Sequence, residues 1–292
     1  MPNPTRFLAR PSVAADSLLP RRTALAAMAG IALAFGPISM ARAQSFDHSH
    51  AAWTALLKKH VRLIDGGQAS RVDYAAMAAD HAALKAYTGS LSAVSAKAFN
   101  GFGKARQMAF LINAYNAFTV ELVLTGYPKL KSIKDLGSLF SSPWKKQFVP
   151  LLGQTMSLDE IEHENLRAKG RYDDPRVHFA VNCASIGCPM LREEAFVADR
   201  LDAQLDEQVV RFLSDKSRNR YDAAADKLLV SRIFDWYGDD FKHGYKGVES
   251  LPGFFASHAE QLTDAAAGRE RVRSKQVPVG YLDYDWALND SR

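Results

Sequence analysis

Cysteine is nearly absent: two occur in 292 residues, too few for a disulfide-built scaffold. The chain also has no Walker loop, no dinucleotide-binding glycine fingerprint and no Gly-x-Ser-x-Gly elbow. No cofactor is therefore expected. Repeats with periods of 20 to 50 residues are missing, and so is any long low-complexity linker. What is left is a mostly helical, single α+β domain built around a buried central helix, with a small antiparallel sheet. Past residue 43 no segment approaches the run of about 20 apolar residues that a membrane span needs.

Excess positive charge is scarcer than it first looks. The chain has 37 basic and 32 acidic residues. Five of the arginines (Arg6, Arg10, Arg21, Arg22 and Arg42) and one acid, Asp16, fall in residues 1–43, which leaves the rest close to neutral. The basic balance therefore gives no reason to expect nucleic acid. The same 43 residues read as an export signal. Arg21-Arg22 precede the apolar stretch Ala24 to Phe35, and Ala41-Arg42-Ala43 supplies a small-x-small cleavage pattern. The paired arginines resemble a twin-arginine signal, although Pro20 and Ala24 depart from its usual residues. Residues 1–43 are expected to be removed, leaving 44–292 as one globular domain, periplasmic or secreted.

Apolar spacing predicts helices over His50 to Ile64, from Asp73 onward, and over Phe196 to Leu213. Arg106 to Leu124 is apolar on nearly every side, the mark of a central core helix. It carries Asn113 and Asn116 on one face. Trp144 to Val149 and Gly153 to Met156 read as a hairpin. Ser157 and Glu160 have capping-box spacing ahead of a short helix bearing Glu162 and His163. The run from Val177 to Leu191 reads as a buried strand that opens into a tight turn, and it holds His178, Cys183 and Cys188. Lys227 to Val230 and Val277 to Trp286 read as strands, and Val248 to Ala265 as a helix.

Several stretches together resemble the bacterial family catalogued as domain of unknown function 547. They are Val72-Asp73-Tyr74, Phe110 to Ala117, Ser157 to His163, His178-Phe179-Ala180, Cys183-Ala184-Ser185, Cys188-Pro189 and Tyr284 to Asn289. The resemblance implies no agreed activity. In plant relatives the first cysteine stays while serine replaces the second, which implies a larger shared role for Cys183 and His178 than for Cys188.

A thiolate attacks acyl carbons, and an imidazole oriented by an amide or carboxylate can generate it. Cys183 is the candidate nucleophile and His178 or His163 the candidate base. Asn113, Asn116 and Glu162 are candidate orienting groups, and the backbone N–H groups of Ala184 to Gly187 a candidate oxyanion hole. On a straight strand, His178 and Cys183 would face opposite ways, which favours His163. The expected activity is hydrolysis or acyl transfer at an amide or ester of an unidentified cell-envelope substrate. Three other readings of the cysteines stay open: a Cys183–Cys188 disulfide in a non-catalytic module that binds an envelope partner, inert buried thiols, and a metal set with His163 and His178. The Cys-x4-Cys spacing fits no familiar zinc knuckle, so no metal is expected.

Overall fold

The computed structural model describes residues 46–138 and 141–292. The expected export signal, residues 1–43, lies outside them. The described residues form one compact α+β unit.

The chain opens with α1 (Ala51–His60), then β1 (Val61–Ile64), which pairs antiparallel with β2 (Ala69–Val72). The expected helix through Ile64 is therefore shorter than its apolar spacing implied. Val61 to Ile64 extend to pair with β2, and Gly66 and Gly67 supply the left-handed turn between the strands. Helix α2 (Tyr74–Ala79) starts where expected, with the Asp73 carboxylate accepting from the Ala76 N–H at 2.9 Å. Helices α3 (His81–Ser92) and α4 (Ala96–Asn100) lead into α5 (Lys104–Leu124). Helix α5 is buried from Met108 to Val123 and packs against α3 and the Glu160–Leu166 turn. Its all-round apolar surface is what a central helix needs, because every face meets protein.

Strands β3 (Val149–Leu151) and β4 (Gln154–Met156) form the expected hairpin, though Trp144 sits before it in a 3-10 turn, Pro143–Lys145. The capping box is present: Ser157 Oγ accepts from Glu160 N, and Glu160 Oε2 accepts from Ser157 N. The helix it opens, Glu160–Leu166, is wound as a π-helix. The expected strand at Val177 does not form. Pro175–Phe179 is a 3-10 turn, followed by irregular chain to Ala198. An all-apolar run reads alike in a buried strand and a buried turn, and Pro175 with the Asp174 cap starts the turn. The opposite-face objection to His178 fails with the strand.

Helix α6 (Leu201–Ser214) begins later than Phe196 because Ala198–Arg200 forms a 3-10 turn. Strand β5 (Arg220–Asp222) pairs antiparallel with β6 (Lys227–Val230), while β7 (Val279–Tyr281) joins β6 in parallel. Between them lie α7 (Ile233–Trp236), α8 (Leu251–Ser257), α9 (Ala259–Leu262) and α10 (Ala266–Arg273). The single helix expected over Val248 to Ala265 is thus two short ones, broken at His258. Only three residues of the expected final strand pair. The rest forms a tail that Leu288 N–H ties to Lys131 O at 2.7 Å and Gly187 N–H ties to Asp285 O at 2.8 Å.

Two apolar clusters make the core. One surrounds α5, and the other is rich in phenylalanine, including Phe179, Phe234 and Phe254. The candidate site lies where they meet.

Candidate functional site

A cavity of about 230 Å³ opens between the clusters. Tyr115, Glu162, His163, His178, Cys183 and Cys188 line it, with Trp144, Trp236, Tyr237, Tyr284 and Trp286 as an aromatic wall. Three of the chain's four tryptophans therefore border one hollow.

Cys183 lies in irregular chain just before Ala184, whose φ of 61° is left-handed. That conformation is unusual for a residue with a side chain, and such strain gathers at functional turns. Asn182 holds the turn from inside: its Oδ1 accepts from Ala184 N and its Nδ2 donates to Pro189 O. Both thiols are free, and their sulfurs lie 2.6 Å apart. The Cys183 sulfur also meets Ser185 Oγ at 3.1 Å and Tyr284 OH at 3.2 Å. Burial opposes ionisation of Cys183, but hydrogen bonds from Cys188, Ser185 and Tyr284 outweigh it and bring the thiol below its ordinary pKa. Burial pushes Cys188 the other way, and the neighbouring Cys183 charge adds to that rise. The two shifts run in opposite directions, so Cys183 is the thiol of the pair that ionises more readily.

No imidazole contacts the Cys183 sulfur. His178 donates from Nε2 to Asp240 Oδ2 at 2.8 Å, and its ring stacks on Tyr237 at 4.2 Å. Burial lowers the His178 pKa, partly offset by Asp240, so the ring is neutral and Nδ1 is its acceptor. Arg167 clamps Asp240 through Nε at 2.6 Å and Nη2 at 3.1 Å. Burial works against Asp240, yet His178 and Arg167 hold its carboxyl well below the usual carboxylate range. Arg167 Nη1 also donates to His163 Nδ1 at 2.7 Å. His163 therefore spends its Nδ1 on a cation, while His178 is backed by an anion. Glu162 is buried, and burial raises its pKa against the opposing His163 and Arg167 charges and a bond from Tyr115.

The two core asparagines stand apart from this hollow. Asn113 exchanges hydrogen bonds with the Phe196 backbone, at 2.7 and 3.0 Å. Asn116 donates to Ala180 O and accepts from Asn182 N. Both amides are consumed by backbone groups, so neither orients an imidazole, which corrects the role expected of them. The expected backbone oxyanion hole is reduced to the Ser185 N–H. Ala184, Ile186 and Gly187 N–H groups are committed to Asn182, Ala287 and Asp285. The donors that remain near the sulfur are the Ser185 N–H, which bonds it, and the Ser185 and Tyr284 hydroxyls. Among the described residues no group of three or more His, Cys, Asp or Glu side chains is placed to hold a metal.

Sequence reasoning missed Asp240 and Arg167. Asp240 sits 62 residues beyond His178 and had no local signal, while Arg167 lies one turn after His163, where an i, i+4 partner was legible. Tyr284 and Trp286 were visible only within the expected final strand and the family-like stretch Tyr284 to Asn289.

Residues 99–213 match the family model described as "Protein of unknown function, DUF547", so the resemblance read from the motifs holds over the segment with His163, His178 and both cysteines. No curated protein and no solved structure matches the chain.

Proposed function

We propose that this chain is a thiol-dependent hydrolase or acyl transferase that acts on an amide or ester in the cell envelope. Cys183 is the nucleophile, and His178, held by Asp240, is the acid–base group. The supporting observation is the Cys183 sulfur itself: three hydrogen-bonding partners favour its thiolate, and it shares a cavity with a neutral, anion-backed imidazole. The thiol proton passes to His178 Nδ1 through a water or the bound substrate. A C–S bond forms at the carbonyl carbon, and the leaving amine or alcohol takes the proton back as its bond to carbon breaks. Water, or an acceptor nucleophile, then cleaves the thioester. The Tyr284 and Ser185 hydroxyls and the Ser185 N–H, all bonded to the sulfur, are the donors available to the developing oxyanion. The leader-like residues 1–43 support export to the periplasm or medium.

The test is labelling with an electrophilic thiol probe. Fast labelling that vanishes in Cys183→Ala supports the reading, and labelling that persists unchanged in that variant sinks it.

The 2.6 Å sulfur separation also favours a second reading, a non-catalytic envelope binding module in which an oxidant takes two hydrogens and joins Cys183 to Cys188. Mass spectrometry of native, alkylated protein separates the two readings. A quantitative 183–188 bond favours the module, whereas a free, fast-reacting Cys183 favours the enzyme.

A further inference from the structure

Behind the cavity's aromatic wall, one lysine rests on a lining tryptophan, and among the described residues no carboxylate holds it. Lys134 sits in the 3-10 turn Ile133–Leu136, which is fixed at its start by a capping box between Ser132 and Asp135. The same turn is tied to the tail by the Leu288 to Lys131 bond. Its ammonium lies 3.5 Å from the centroid of the Trp286 ring. Trp286 in turn packs on Tyr284 at 4.5 Å and Trp236 at 5.8 Å, and Tyr284 reaches the Cys183 sulfur. Among the described residues, no carboxylate pairs with Lys134. The contrast with Arg167, the other cation near the cavity, is sharp, because Asp240 and His163 occupy that guanidinium. Lys134 also lies within electrostatic reach of Cys183: desolvation lowers its pKa, and the thiolate opposes that shift.

Resting on the thiol-nucleophile reading, we infer that Lys134, steadied over Trp286, is the anchor for a carboxylate on the substrate, so that the enzyme takes acyl compounds bearing a free carboxylate near the bond attacked. An ammonium above an indole face keeps its outward N–H groups for an anion, while the ring fixes its position. A single cation matches a monoanion. A phosphate dianion would meet one cation, over Trp286, and the Asp159 carboxylate on the cavity wall. The aromatic wall then receives the apolar body of the same molecule.

The probes are iodoacetate and iodoacetamide, which alkylate the same sulfur by the same displacement and differ by one carboxylate. With the full chain kept reduced, the rate ratio of iodoacetate to iodoacetamide at Cys183, followed by peptide mass spectrometry, is compared with the ratio for a free thiol such as N-acetylcysteine amide. The expected result is a ratio above that standard that falls about three- to tenfold in Lys134→Met, survives in Lys134→Arg and shrinks with added salt, as a unit charge in a partly screened site requires. Matching melting temperatures of the three proteins show that each is folded, and division by the iodoacetamide rate removes any change in the thiolate fraction. A ratio unchanged in Lys134→Met overturns the anchor and leaves the nucleophile standing. A Cys183 inert to both reagents overturns the nucleophile reading and the anchor with it.

Discussion

His178 Nε2 and Asp240 Oδ2 meet at 2.8 Å across 62 residues of chain. Arg167 holds Asp240 from the other side and takes His163 Nδ1 in the same grip.

Asp240→Asn should therefore separate base catalysis from thiol ionisation. Turnover of an amide or ester substrate is expected to fall by about 10²-fold or more, the usual size of a general acid–base contribution. Iodoacetamide uptake, which needs only the thiolate, should change far less. Thermal denaturation should show a loss of about 1–3 kcal/mol, because a half-buried Arg167 loses its counter-charge. Equal collapse of both rates would show that thiol ionisation depends on His178 as fully as the return of the proton to the leaving group does.

Tyr284→Phe removes one of the donors that lower the Cys183 pKa. The pH profile of iodoacetamide alkylation should move to higher pH, and the wild-type profile should level off below the ordinary thiol range. A profile identical in the two proteins would show that the hydroxyl does not serve the sulfur.

Mild oxidation with diamide should join Cys183 to Cys188, since their sulfurs already lie 2.6 Å apart. Alkylation at Cys183 should then cease and return with dithiothreitol. Cys188→Ser should keep its alkylation through the same treatment, and loss of labelling in that variant would point to another partner.

Gly187→Ala tests the tail. A Cβ there would stand 3.0 Å from Asp285 N, Asp285 O and a Tyr284 ring carbon. The backbone would have to shift, at a cost of about 1–3 kcal/mol, and Tyr284 would leave the sulfur. The expected readouts are a lower melting temperature and a Cys183 alkylation profile displaced to higher pH, as in Tyr284→Phe.

Stability should fall as the solution is acidified from about pH 6.5 to 4. His50 is buried against the Tyr87 hydroxyl at 2.7 Å, and burial, despite Asp47, depresses its pKa to about 4. Below pH 6.5 the unfolded chain takes up this proton and the folded chain does not, so unfolding gains up to about 3 kcal/mol from this group alone. Chemical denaturation at pH 7 and pH 4.5, compared with His50→Gln, checks it: the variant should lose part of the slope.

Helix α5, the Asp73 cap, the Ser157–Glu160 capping box and the β3–β4 hairpin were legible because each is set by residues within a few positions. The Val177 run was misread because its residues are buried in a turn rather than on a sheet. Asn113 and Asn116 were rightly seen as buried amides, but which backbone groups would claim them depended on Phe196, Ala180 and Asn182, brought in from elsewhere in the chain.

The amino-acid order alone determined the central apolar helix, the family resemblance and the short list of reactive side chains, because periodicity, capping and composition act locally. Only the tertiary structure decided that Asp240 backs His178, that Tyr284 reaches Cys183 and that Lys134 lies above Trp286. Those relations join residues 62, 101 and about 150 positions apart, and no local rule carries information over such separations.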